Sequence, residues 1–462
     1  MPGSGLPGAI ASWRSKRLNS TTAQRLSALI AAAIPRFKEE DVKFKTVAGG
    51  IATLAAVSLI LTGCGRADES AAGPAEVTTI DDSPATGTIS VWAMGAEGEA
   101  LPAFVEKFQE ANPDVKIDVT AIPWDAAHNK FQTAIAGGNT PDVAMVGSTW
   151  MADFGDAFAT VPAEIATDGF FPGALSTTEF DDRAAGVPWY VDTRVLYYRT
   201  DLAQQAGWTQ APTSWDELQQ LAADMKDKAG AEYGIRMPGG NDSFQGAMWM
   251  PWSAGAELTD GDAWTLDTPE MTTGLEYYKS FFDTGLADAN ADISAGATEA
   301  EFVAGTTPMV VEGPFLRGQL ELLGGPDFAS KYATAVLPAD TGSVSFSGGA
   351  NLVVFNQSKN AESAWKLVRW LSEPETQAAF YETTGDLPAL QAAWDAPALA
   401  DDASLTTFGE QLQTAKAPPV TTSWVQVAAK GDQALEQLRR GGADVPAVLQ
   451  KLQADADAIG LE

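Results

Sequence analysis

One cysteine, one histidine and fourteen tryptophans bound the chemistry open to this 462-residue chain. Cys64 alone cannot close an intramolecular disulfide or furnish a cysteine cluster for zinc. With His128 as the single imidazole, a Ser-His-Asp triad or a multi-histidine metal site is disfavoured. His128 itself sits in the helical pattern "WDAAHNKFQTAIAGG" and reads as a surface or packing residue. Carboxylates are plentiful, with 61 Asp and Glu. They accept hydrogen bonds from hydroxyl groups, and flat aromatic faces pack on the apolar faces of sugar rings. Core packing is the competing use of every one of these rings.

Those residues need a scaffold. Discounting residues 1–63, which hold 8 basic and 3 acidic residues, leaves 21 basic and 58 acidic, a net charge of −37. Such a charge repels nucleic acid and anionic lipid and favours solubility. The part able to fold is about 375 residues, too long for one simple core and suited to two lobes.

Its first stretch alternates in kind. "TISVWAM" (88–94) is strand-like, and "EALPAFVEKFQEANP" (99–113) places Leu101, Phe104, Val105 and Phe108 at helical spacing. "VKIDVTAI" (115–122) alternates, "DAAHNKFQTAIAGG" (125–138) is a helix capped by Asp125, and "PDVAMVG" (141–147) is a third strand. This βαβαβ rhythm implies a parallel sheet, whose ligands bind beyond the carboxyl ends of the strands. Those ends are Gly95–Glu99, Pro123–Asp125 and "GSTWMADF" (147–154). Further on, helices are expected over 213–230, with a Ser214-x-x-Glu217 capping box, and over 269–285. A strand is expected in "MVVEGPF" and another in "SGGANLVVF" (347–355). A helix pair broken at Pro374 spans 360–385, and an amphipathic helix spans 444–460.

Ahead of the body, Lys38, Lys43 and Lys45 precede the uncharged run Val47–Leu61. A basic flank followed by a short apolar run with small residues is a secretory signal. It is shorter than the roughly 20 residues of a membrane-spanning helix. "Leu61-Thr62-Gly63-Cys64" resembles the bacterial lipobox, which implies that the Cys64 thiol carries lipid. Residues 64–86 are small, polar and acidic, and read as a flexible tether.

Seven segments in order resemble the extracellular solute-binding proteins of bacterial ABC importers, in the maltose-binding-protein-like carbohydrate group. They are "LPAFVEKFQEANPDVKIDV", "AIAGGNTPDVAMVGSTWMADF", "GVPWYVDTRVLYYRTDL", "PTSWDELQQLA", "MVVEGPF", "SGGANLVVF" and "AWKLVRWLSEPETQAAF". The resemblance covers nearly all of 87–460. It implies an α/β, two-lobed periplasmic-binding-protein-like (type II) fold with interleaved lobes and a hinge. Lobe one is then 87–191 with 349–400, and lobe two is 195–346 with 405–462. The chain crosses at 190–194, at 345–349 and again between 395 and 410.

The same resemblance nominates ligand residues. Phe315 falls at a stacking aromatic, with Glu312 at a place where the family has an amide. Trp424 in "TTSWVQV" matches another platform, with core packing as the equal alternative. Trp249 and Trp252 are alternatives for a third. In lobe one, Glu97 and Trp150 follow strands, and Asp192 matches a hinge carboxylate that Arg194 is placed to pair with instead. Gly348 and Gly349 let backbone N–H groups approach a ligand, or serve the hinge alone. Trp124 is rim or core. The implied function is a lipid-anchored receptor on the extracellular face of the cell membrane, or in the periplasm. It is expected to be a monomer that binds a di- or oligosaccharide, such as an α-glucoside, and hands it to permease subunits. Neither a cofactor nor nucleic acid is implied. An anionic solute such as a glycerophosphodiester and a glycosidase with opposed carboxylates are the competing functions.

Overall fold

The structure, a computed structural model, describes residues 79–461 except 166, 167, 181 and 295. The leader 1–63, Cys64 and the tether as far as residue 78 lie outside the described residues.

Strand β1 (Gly87–Met94) buries Ile89, Val91 and Ala93 and runs parallel to β2 (Val115–Ile122) in unbroken register. It also pairs with β3 (Val143–Gly147), every residue of which is buried. A central parallel strand covered on both faces has no polar side to show, so it reads as a continuous apolar run. Helix α1 (Gly95–Phe104) follows β1 at once, four residues earlier than the apolar spacing suggests. Glu97 is thereby drawn into its first turn. Helix α2 (Trp124–Gly137) ends at Gly138, whose φ of 64° closes the helix as glycine allows.

Three later strands complete this sheet: β4 (Val187–Thr193), β8 (Ser347–Val354) and the two-residue β9 (Leu387–Pro388). Among the described residues the order is β9-β4-β8-β3-β1-β2, with β8 antiparallel to both its neighbours. A smaller sheet sets β5 (Val195–Arg199) between β6 (Met309–Glu312) and β7 (Tyr332–Ala335), antiparallel to both. Helices α3 (Trp215–Ala229), α4 (Trp249–Ser253) and α5 (Pro269–Asp283) belong to this second half, as does α6 (Phe315–Gly324). Ser214 accepts from the backbone N–H of Glu217 at 3.3 Å while the Glu217 carboxylate takes the N–H of Thr213 at 2.8 Å, so the cap of α3 is reciprocal. Helices α7 (Ala361–Leu371) and α8 (Pro374–Thr384) pack with the larger sheet. Helix α9 (Ala403–Leu412) lies against β4, β5 and β7. Helices α10 (Trp424–Arg439) and α11 (Val445–Ile459) close the second half.

Two apolar cores result. One gathers Ile89, Phe131, Met145, Trp189, Leu352 and Trp365 around the larger sheet. The other gathers Trp215, Trp249, Tyr278, Phe281, Trp424 and Leu449. The chain passes from one half to the other at Arg194, between β4 and β5, and returns between β7 and β8. A third connection runs beside these two. The Lys416 N–H donates to the Ser345 carbonyl and the Ser347 N–H to the Lys416 carbonyl, each at 2.8 Å. This connection lies beyond the 395–410 expected from the sequence.

The described end of the tether is also different from expectation. Ile80 and Ala85 are buried, and Asp81 is paired at 2.7 Å with Lys366, itself a buried lysine on α7. Two apolar side chains and two ion pairs, Asp81 with Lys366 and Asp82 with Arg369 at 3.2 Å, dock residues 79–86 onto the body, where acidic composition alone suggested a free linker.

Candidate functional site

A cavity of about 900 Å³ lies between the two halves. Each of the first three strands delivers residues to it from its carboxyl end. Glu97 comes from the start of α1 after β1, Trp124 from the start of α2 after β2, and Ser148 to Trp150 from the turn after β3. This is where a parallel sheet leaves room, because the strands end and the connections diverge.

Trp124 and Trp150 form one corner, their ring centroids 5.6 Å apart at 64°. His128, one turn along α2 from Trp124, sits edge-on to Trp150 at 5.4 Å and is held by Asp153 at 2.7 Å. The single histidine thus braces an aromatic wall. From the second half, Phe315 presents a ring that is 50 % exposed, with Tyr332 nearby in the lining. Aromatic rings brought to one cavity from both halves suit a ligand with apolar faces.

The same lining is rich in carboxylates. Glu97 is only 7 % exposed, and Tyr190, Asp192 and Asp386 stand close to it. Burial, with Glu97 and Asp386 beside it, pushes the Tyr190 phenol well above its usual range. Burial and the neighbouring Glu97 push the Asp386 carboxyl up to about 7. Asp386 Oδ2 and Asp192 Oδ1 are both buried without a hydrogen-bond partner. The cations of the lining are already engaged. Arg194 donates to Asp192 and lies 3.8 Å from Glu312, and Arg317 reaches Asp402 at 2.5 Å. Burial works against the Arg194 charge, yet Asp192 and Glu312 more than offset it and hold the guanidinium above its usual range.

Of the residues singled out from sequence, Glu97, Trp150, Asp192, Phe315, Gly348 and Gly349 line this cavity, and Trp124 joins them at its rim. Gly349 has a φ of 120°, and a Cβ there would collide with the Tyr190 carbonyl, so backbone geometry alone demands glycine. A Cβ at Gly348 would meet the Phe346 ring.

Four nominees lie elsewhere. Trp424 is 1 % exposed, opens α10, and packs near Phe244 and Trp264 in the second core, so its ring has no free face for a ligand. Trp249 is buried edge-on to Tyr277 in the same core. Trp252 is buried too, and borders a separate cavity of about 430 Å³ that Lys416 and Pro418 also line. Glu312 turns to Arg194 and to a neighbouring cavity of about 270 Å³. Tyr190, Asp386, Tyr332, Tyr381 and Arg317 enter the lining unannounced. Tyr190 stood inside a segment already singled out, whereas Asp386 follows an ordinary helix end and carries no local signal.

Among the described residues, no group of three or more His, Cys, Asp or Glu is placed to hold a metal. No described helix is long and apolar enough to cross a membrane.

Residues 93–378 match the family described as bacterial extracellular solute-binding protein. A putative binding protein of Brucella abortus is 30 % identical over 362 residues, 76 % of this chain and 87 % of that one. The diacetylchitobiose binding protein DasA of Streptomyces coelicolor is 26 % identical over 66 % of this chain and 74 % of its own. Among solved structures, the sugar-binding protein MalE from the phytopathogen Xanthomonas citri superposes with a TM-score of 0.77 at 32 % identity. That match covers 81 % of this chain and 97 % of MalE.

Proposed function

The chain belongs to the bacterial extracellular solute-binding protein family, and from that premise we propose that it captures a sugar in the cavity between its lobes and delivers it to the membrane subunits of an ABC importer. The ligand is a di- or oligosaccharide, with an α-glucoside such as trehalose or maltose as the first choice. Cys64 anchors the protein by lipid to the outer face of the membrane, and the protein works as a monomer. Glu97, Trp124, Trp150, Asp192 and Phe315 are the ligand residues.

One observation carries this reading. The cavity of about 900 Å³ is lined by aromatic rings from both halves together with acceptor-rich carboxylates. Sugar rings need those two things, an apolar face to rest on and acceptors for their hydroxyls. The likeness to the Xanthomonas citri sugar-binding protein and to DasA supports the same class. An anionic solute suits the site poorly, because both lining arginines already serve carboxylates.

Calorimetric titration with a panel of neutral sugars, maltose and trehalose among them, tests the reading. Saturable binding is expected, and a hundredfold excess over Kd stabilises the fold by about 2.7 kcal/mol. No binding across the panel overturns it.

A further inference from the structure

We propose that the carboxylate wall of this cavity selects a sugar bearing a basic amine over its neutral and anionic counterparts, with Glu97 and Asp386 as the specificity-determining pair. The proposal rests on the sugar-binding reading above and narrows its ligand class.

The charges of the lining do not balance. Glu97, Asp192, Glu321 and Asp386 face the cavity, and among the described residues its cations are Arg194 and Arg317 alone. Arg194 is held by Asp192 and Glu312, and Arg317 by Asp402. Neither arginine is hydrogen-bonded to Glu97 or Asp386. The two carboxyls nevertheless lie close enough for the charge of Glu97 to disfavour ionisation of Asp386. Asp192 also opposes that ionisation, and on the same segment only the Thr384 hydroxyl favours it. Glu97 sits in the first turn of the ten-residue α1, where the helix dipole favours negative charge.

Sugar hydroxyls can satisfy single acceptor oxygens, but they bring no charge, so Asp386, with Glu97 beside it, keeps its proton. An ammonium brings up to three N–H donors and the missing positive charge together. It also gives Asp386 Oδ2, buried and without a partner, a charged donor. A carboxylate or phosphate on the sugar adds a further like charge and is rejected.

The test is calorimetric titration of the protein at pH 6.5 with trehalose and maltose, their mono-amino isomers at each ring position, and their uronic acids. At least one amino isomer is expected to bind tenfold or more tighter than its neutral parent, and the uronic acids tenfold or more weaker. Binding of that isomer should also release protons, read from titrations in buffers of different ionisation enthalpy. In Asp386→Asn and in Glu97→Gln the ratio of amine to parent affinity should fall toward one. The proposal is overturned if no amino isomer outbinds its parent, or if the ratio survives both substitutions. If neither parents nor amines bind, the disaccharide reading itself falls and the proposal with it.

Discussion

Arg194 and Asp192 close on each other across Thr193 at the point where the chain leaves the larger sheet for the smaller. Glu312 of β6 approaches the same guanidinium from the far side at 3.8 Å. One cation therefore holds two carboxylates from the two sheets at the joint between them. Replacing Arg194 by Met is expected to cost about 3–5 kcal/mol, because it strands partly buried charges. Thermal unfolding of the empty protein measures this. A change of only a few tenths would mean that water already screens the pair.

Trp424 and Phe315 are expected to separate cleanly. Trp424→Ala opens a void in the second core and should lower stability by about 3–5 kcal/mol. Any sugar affinity that remains should be near normal. Phe315→Ala removes a half-exposed ring from the cavity, so the empty protein should melt almost unchanged while sugar affinity drops about thirtyfold. Paired melting and calorimetry on the two variants checks both. The reverse pattern would return Trp424 to the ligand site.

Acidity should tune stability through Asp386. Its carboxyl titrates at about 7 in the folded protein against an ordinary value of 3.8. Between those values the native state keeps a proton that the unfolded chain has lost. The contribution of this group to stability therefore falls as pH rises through the window, and the deficit is complete above about 7. Asp386→Asn, which mimics the neutral acid, should stabilise the empty protein at pH 8 and leave it nearly unchanged at pH 3, below the ordinary carboxyl value. A gain of about 1 kcal/mol shows as roughly 2 °C in Tm. Equal effects at both pH values would remove ionisation as the cause.

The anchor has its own test. Cys64→Ser should release the protein from membranes in mild salt while leaving its sugar binding intact. Loss of the acyl chains removes about 0.8 kcal/mol of membrane affinity per buried methylene. Continued sedimentation of the Ser variant with membranes would sink the lipid-anchor reading.

The parts of the site that were legible in the sequence are those a regular pattern positions. Glu97 and Trp150 were found because β1 and β3 are strongly patterned strands and a strand end in a parallel sheet is a place to look. Asp386 and Tyr190 were not found. Tyr190 points its chemistry into the cavity from a strand flanked by β8 and β9, and β9 is two residues long. No local periodicity announces a pairing made across almost two hundred residues. Trp424 misled for a related reason. The family match of "TTSWVQV" nominates it as a platform with the core as the equal alternative, and Trp424, the first residue of α10, is buried in the core. Ile80 was similar, one apolar side chain in an acidic stretch, buried because the body offers it a place.

The three connections between the halves are stitched together. The Thr193 hydroxyl donates to the Phe346 carbonyl at 2.7 Å, the Ser345 hydroxyl to the Arg194 carbonyl at 2.7 Å, and Lys416 exchanges backbone hydrogen bonds with Ser345 and Ser347. Sliding or twisting one half against the other would stretch these bonds, whereas bending about their common line would not. The molecule is then left with a single soft coordinate, an opening angle. On the proposed function, any ligand that draws the halves together, whatever its stereochemistry, would be translated into one number. A partner that senses the angle learns that the cavity is filled without ever touching the sugar.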